Sequence, residues 1–456
     1  MKLPHEMKHI NIRRWLLAAL ALPALLATGQ PTSDTIPAPQ NQLSVDVQFL
    51  ARGESRYGGL KTEVIDIEDL DDEEEEVAQY DFIQGRTRLV INYRRDWLDA
   101  RVTPQHSGVW GQSGKGSFNL YETWVRLTAP FGLFVQAGRV ALSYDDERII
   151  GSDNWAMASL SHDVLRVGYE GHGHKAHVVL AYNQNAEVMA TGDSYYQNGG
   201  QPYKTMLDLW YHYDFSRIPL GASLLFMNIG MQNEPNSPRH TWFQHLLGGY
   251  VSFAPHKWRT EFSYYHQFGK NETGIKIDAW MASAKVGFSP FDKLKLTAGY
   301  DYLSGDDKFA VPPRGGIGVI RHEVIKGFST VYGSHHKFYG AMDFFYVSAY
   351  LNGFTPGLQN AYLIATYNPI KQLSLSGGYH YLATATKLND MGMRLGHEVE
   401  LQANYAFTPD VNVSAGLSMM KGSDTMERLK RTSNNNRLRW VWLSLSVNPR
   451  IFTTKW

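Results

Sequence analysis

The sequence predicts an all-β protein, a transmembrane antiparallel β-barrel of about 18 strands with long extracellular loops. Three observations carry that prediction. Apolar and polar residues alternate with a period of two in segment after segment, as side chains do along a strand. The polar parity of those segments carries charges at mid-strand, which a dry sandwich core would reject but a water-filled lumen accepts. Short and long connections alternate along the chain, sorting the loops into two ends. Composition agrees, since 26 Tyr, 21 Phe and 12 Trp suit a pleated surface.

At the N-terminus, Lys8, Arg13 and Arg14 precede "WLLAALALPALLA", an apolar run too short to span a bilayer. Small residues follow at Ala27 and Gly29, so residues 1–29 read as a secretory signal peptide. Residues 30–42 ("QPTSDTIPAPQN" and the start of the next segment) form a polar periplasmic lead-in without strand periodicity. No later segment is long and apolar enough for a transmembrane helix, so residues 43–456 reach a membrane only as a barrel. Cysteine is absent, which excludes disulfides and thiolate metal sites. The 44 basic and 44 acidic residues balance, which gives no pull toward nucleic acid.

Strands are expected over 43–58, 79–93, 98–112, 116–129, 132–146, 160–170, 174–189, 203–215, 219–232 and 239–254. They continue over 257–270, 275–289, 293–306, 358–369, 371–385, 393–408, 410–422 and 437–450. "LDLWYHYDF", "GHEVELQANYAF" and "LRWVWLSLSV" show the alternation most plainly. In the last, Val441, Leu443, Leu445 and Val447 should face lipid, and Ser444, Ser446 and Asn448 the water-filled side. The short connections "TAPFG", "FAPHK", "FSPFDK", "YNPIK" and "FTPD" put aromatic rings at strand ends, where an interfacial girdle belongs. Residues 307–357 interrupt the pattern and read as one long loop, a candidate constriction. If that interval instead holds two strands, the count becomes 20.

By parity, the lumen receives Arg86, Arg88, Glu122, Arg126, Arg166, Asp208, His212, Arg259, Glu261, Asp278, Lys295, Glu398 and Glu400. Arg86, Arg88, Arg126 and Arg166 would form a basic row, opposed by an acidic row of Glu122, Asp208, Glu398 and Glu400. Between the first two strands lies "DIEDLDDEEEE", nine carboxylates between Asp66 and Glu76. It reads as a solvated acidic loop, or as oxygen ligands for divalent cations that bridge anionic lipopolysaccharide. Asp301, Asp306 and Asp307 of "DYLSGDDK" could ligate calcium, although Asp and Gly together also make turns. His172, His174 and His177, like His335 and His336, read as turn residues that lack further metal ligands. There is no phosphate loop, nucleophile elbow or HExxH motif, so no enzyme, catalytic group or resident cofactor is expected.

One region is more specific. "FVQAGRVALSYDDERIIGSDNWAMASLSHDVLRVGYE" (134–170), "YDYLSGDD" followed by "YGSHHKFYGAMD", and "LGHEVELQANYAFTPDVNVSAGLSMMKGS" resemble the alginate export family. The resemblance implies an 18-stranded outer-membrane barrel whose lumen passes a polysaccharide or smaller solutes. It also implies an arginine-lined path and adds Arg139, Arg148 and Arg166 to the pore candidates. Taken with the mixed lumen charge, the sequence points to a porin-like channel for polar or charged solutes, saccharides among them. The alternatives are dedicated export of an anionic polysaccharide such as alginate, and a closed structural or adhesive barrel. The expected partners are outer-membrane lipid, lipopolysaccharide and, through the terminal Trp456, the barrel-assembly machinery.

Overall fold

The computed structural model describes residues 40–58, 79–112, 116–183, 203–232, 240–306, 323–345, 355–388, 391–430 and 437–456. The signal peptide, most of the lead-in, the acidic run Asp66–Glu76 and Asp307 lie outside the described residues.

The chain forms one antiparallel sheet that closes on itself. Its first half comprises β1 (Asn41–Tyr57), β2 (Gln79–Arg95), β3 (Leu98–Val109), β4 (Ser117–Thr128), β5 (Leu133–Val140), β6 (His162–Gly171), β7 (His174–Tyr182), β8 (Thr205–Asp214) and β9 (Leu220–Met231). The second half comprises β10 (Trp242–Phe253), β11 (Trp258–Lys270), β12 (Lys276–Phe291), β13 (Leu294–Leu303), β15 (Leu358–Ile370), β16 (Leu373–Ala383), β17 (Arg394–Thr408), β18 (Val411–Gly422) and β19 (Arg437–Val447). Two short strands complete the set. β14 (Val324–Ile325) lies parallel to the start of β12, and β20 (Arg450–Lys455) continues β19. Eighteen strands therefore make the wall, and among the described residues of 307–357 only the two-residue β14 pairs with it. A helix, α1 (Asp424–Lys430), stands in the loop between β18 and β19.

Closure comes from β1, which pairs with β19 (Phe49 opposite Val447) and with β20 (Val45 opposite Phe452). The break between them is local chemistry: Pro449 has no N–H to give the ladder, and the register shifts at Val45/Asp46. At the rim, Asn41 and Trp456 exchange both backbone hydrogen bonds, 2.8 and 3.1 Å. Among the described residues each of the eighteen wall strands is paired on both sides, which is the condition for strands to cross a bilayer.

The faces are inverted relative to a soluble sheet. Leu443 is 60% exposed on the outer face, while Ser444 beside it is 7% exposed on the inner one. Leu224, Leu363 and Leu401 are likewise exposed on the outside. Aromatic rings flank this apolar belt at both ends, with Trp97, Phe131, Trp258, Phe291 and Phe407 at the short-turn end. Tyr80, Phe118 and Tyr381 stand at the long-loop end. A charge within the belt should be costly: Leu443→Arg is expected to destabilise the barrel by about 2–4 kcal/mol. Urea unfolding in lipid vesicles measures this, and an unchanged midpoint would argue against lipid contact at Leu443.

Candidate functional site

The lumen is narrowed by two segments that turn inward from the long-loop end. One is 141–161, between β5 and β6; the other is 323–345, between β13 and β15. The sequence pattern extends the fifth strand to residue 146, but β5 stops at Val140, and the residues beyond it turn inward. The two segments clasp each other through backbone bonds: Tyr332 N–H to Ile149 O (3.0 Å), Gly151 N–H to Tyr332 O (2.9 Å) and Ser334 N–H to Glu147 O (2.9 Å). His336 stacks on Trp155 at 4.0 Å, and Lys337 pairs with Glu147. Asp145, Glu147, Asp153, Val331, Tyr339 and Asp343 all have positive φ in these segments. Positive φ is unfavourable for non-glycine residues, most of all for β-branched Val331, so surrounding contacts must hold the fold here.

Those contacts come from the barrel wall. Arg86 donates to the carbonyls of Asn154 (3.1 Å) and Ala156 (2.8 Å) and to Ser159 Oγ (2.8 Å). Arg88 reaches Asn154 Oδ1 and Ser159 Oγ, both at 2.8 Å, and stacks on Tyr121. Arg52 lies 4.1 Å over Trp155. From β17, three strands round the ring from β1, Glu398 accepts the Met342 N–H at 2.9 Å. Gly340 has φ +94, and a Cβ there would overlap the Glu398 carboxylate, so both its backbone and its contact require glycine.

Arg148 is the centre of the clasp. Its guanidinium bonds Asp301 Oδ1 (3.2 Å), Asp146 Oδ2 (3.3 Å) and the Tyr339 hydroxyl (3.0 Å), and lies 4.0 Å over Phe338. Burial opposes its charge, yet Asp301, Tyr339 and Asp146 outweigh that cost and hold its pKa above the ordinary value. Burial likewise favours the neutral form of Glu147, but hydrogen bonds from Lys337 and Ser143 prevail and keep its pKa low.

The remaining predicted residues fall into distinct places. Arg126 pairs with Glu170 at 3.0 Å, and Arg166 points inward over Phe134 toward Gln136. Glu122 belongs to the basic wall, paired with Arg101 at 3.0 Å, and so does not stand opposite the arginines as expected. His212 faces the lumen between Ser223 (2.8 Å) and Asp214 (2.9 Å). Arg259 and Lys285 both pair with Glu261. Glu400 lies 3.8 Å from His380. Asp208 is fully buried with neither carboxylate oxygen hydrogen-bonded.

Two expectations are corrected. Arg139 lies on the outer face, opposite Thr123 and ion-paired with Asp163 at 2.7 Å, because it shares parity with Val135 and Ala137. Asp278 also faces outward and pairs with His266 at 3.0 Å, since Ile277 and Ala279 take the lumen side. The aspartates proposed for calcium serve separate roles. Asp301 binds Arg148, Ser283 (2.6 Å) and Asn360 (2.9 Å), while Asp306 accepts the N–H groups of Lys326 and Gly327. Sequence parity missed Tyr121, which turns inward beside Glu122 (7% and 8% exposed). The signal was Pro104 on β3, where a bulge makes Tyr121 the extra residue.

Below the clasp, toward the short-turn end, lies a space of about 380 Å3. Arg259, Lys285, Lys295 and Lys337 line it together with Glu261 and Glu400, and Trp155, Phe338 and Tyr362 supply aromatic surface. The wall is thus charged and of both signs.

No protein-family model matches the chain, and no curated protein matches it. Among solved structures it is similar to Pseudomonas aeruginosa OccK5 (OpdH), with 10% identity over 90% of this chain and 98% of that one, at a TM-score of 0.57. The OccK2 (OpdF) structure in complex with glucuronate matches at 12% identity, 90% and 98% coverage and a TM-score of 0.58. OccD3 (OpdP) matches at 13% identity, 90% and 92% coverage and 0.57. At these identities the likeness establishes architecture: the chain has the closed, 18-stranded antiparallel fold of these outer-membrane barrels.

Proposed function

We propose that this chain is a porin-like channel of the bacterial outer membrane, through which small polar and charged solutes diffuse. The carrying observation is the clasped constriction above a charged space of about 380 Å3. A space of that volume is in the range of small-molecule sites and suits a solute the size of a single sugar acid. Glucuronate bound to OccK2 (OpdF) is a solute of this kind in a barrel of the same fold. The apolar outer belt and its two aromatic girdles support the membrane location. Basic and acidic side chains intermingle around the lumen, Arg52 and Arg101 with Glu54 and Glu122 on β1 to β4, and Arg259, Lys285 and Lys295 with Glu261 and Glu400 on β11 to β17, so both signs of charge line the path. That arrangement favours hydrated polar solutes over lipophilic ones.

Planar-bilayer recording tests the reading. Ion current with weak selectivity in a salt gradient, and partial block by millimolar glucuronate, are the expected results. Strong anion selectivity would instead favour export of an anionic polysaccharide, as in the alginate export family. Near-zero conductance would overturn both and leave a closed structural barrel.

A further inference from the structure

Where the two inward segments meet, one side chain touches both of them and the wall. His336 stacks on Trp155 of segment 141–161, with ring centres 4.0 Å apart and planes 7° from parallel. Its Nδ1 stands 2.7 Å from Asp343 Oδ2 in its own segment, and Trp440 of β19 meets its ring edge-on at 5.7 Å. The other Asp343 oxygen is buried without a hydrogen-bond donor. Asp153, in the facing segment, and Glu400 on β17 also feel the charge of His336. The permanent cations beside it are engaged: Arg52 of β1, 4.1 Å over Trp155, bonds Glu54 at 2.8 Å, and Lys337 pairs with Glu147. On β16, His380 lies 3.8 Å from Glu400, and Glu398, two residues before Glu400, takes the Met342 N–H. Burial lowers the pKa of the preceding residue, His335, to about 4, so that ring stays neutral near neutral pH.

Histidine is the side chain that ordinarily gains its charge between about pH 8 and about pH 5. In the neutral ring a hydrogen on Nδ1 already donates to Asp343, so that bond is present in either form. Protonation adds charge. The added charge meets Asp343, Asp153 and Glu400, contributed by both segments and by the wall. It also lies flat on the Trp155 face, where the ring quadrupole attracts it. Each of these attractions requires the segments to be together. The clasped arrangement therefore binds the proton more readily than a loosened one, and by linkage it strengthens as pH falls. We infer that His336 is a pH-sensitive latch on the constriction, drawing segments 141–161 and 323–345 together when protonated and letting them part when neutral. The latch rests on the channel reading and deepens it, since the constriction it regulates is that channel's.

Two measurements on the full barrel in lipid test it. Hydrogen exchange read by mass spectrometry, corrected for the intrinsic pH dependence of exchange, should follow peptides from 141–161 and 323–345. They should be about fivefold better protected at about pH 5 than at about pH 8. In planar bilayers, the ratio of wide to narrow conductance levels should rise about fivefold from the lower pH to the higher. H336Q should abolish both responses and hold the behaviour of the neutral ring. H336R keeps a planar cation for Trp155 and Asp343 and should hold the low-pH behaviour throughout. Heat-modifiable migration checks that each variant folds. Equal protection of the wild type at the two pH values, or a response that persists in H336Q, would overturn the latch. The expected protection in a barrel that conducts nothing would leave the latch standing and overturn the channel reading instead, because exchange does not depend on conduction.

Discussion

Replacing Arg148 with alanine is expected to raise single-channel conductance several-fold while the barrel itself stays folded. Removing one partner of a buried ion pair leaves the other uncompensated and costs about 3–5 kcal/mol. Here the stranded partner is Asp301, itself 1% exposed. The loss falls on the clasp, because Arg148 joins segment 141–161 both to the wall and to Tyr339 of segment 323–345. The wall strands keep every ladder bond. Planar-bilayer recording reads the conductance, and heat-modifiable electrophoretic migration reads the barrel. Adding Asp301→Asn should recover part of the wild-type conductance, since the unpaired charge is then gone. An R148A channel with wild-type conductance would mean that the Arg86, Arg88 and Glu398 contacts hold the segments without the central guanidinium.

Asp208→Leu is expected to act in the opposite sense, raising stability by a few kcal/mol. Asp208 turns inward on β8 between Val179 and Met227, both fully buried, and neither of its oxygens has a hydrogen-bond donor. A carboxyl in such a wall sacrifices its hydration without recompense, and leucine removes that cost at similar volume. The readout is the temperature at which the purified barrel loses its heat-modifiable migration. A lower temperature for Asp208→Leu would show that the carboxyl is satisfied by solvent or an ion within the lumen.

Much of the wall was legible in the sequence because its physics is local. A side-chain period of two, with turn residues at the ends, places β1, β10 and β17 within a few residues of their observed bounds. In "LRWVWLSLSV" the facing read from the sequence, Leu443 outward and Ser444 inward, agrees with the structure, because from Val441 to Val447 one parity is wholly apolar. Trp440 and Trp442 show what that assignment left out. They share the polar parity and turn inward, where they pack on Trp155, a residue far away in sequence. The clasp was half legible. Segment 323–345 fell within the interval predicted as a constriction, whereas 141–161 did not, because its residues carry no period and its bonds are to distant strands. Arg139 was misplaced for a related reason: both parities of "LFVQAGRVAL" contain apolar residues, so the pattern could not choose a face. Glu122 failed as a member of an acidic row because a strand pattern gives a residue's face but not its position around a ring.

The pairing of Phe49 with Val447 also constrains how the molecule comes into being. Each hairpin along the chain can form from neighbours, but the seam cannot, since its two halves come from the two ends of the described chain. Until the seam joins, two unsatisfied edges flank a sheet whose outer surface is apolar, a combination that invites aggregation in water. The entropic cost of bringing the ends together grows only with the logarithm of the intervening length, so the obstacle is exposure and not distance. Ring closure is therefore best placed inside the membrane as the final event, where Arg450 of the last strand reaches Asp46 of the first at 2.6 Å.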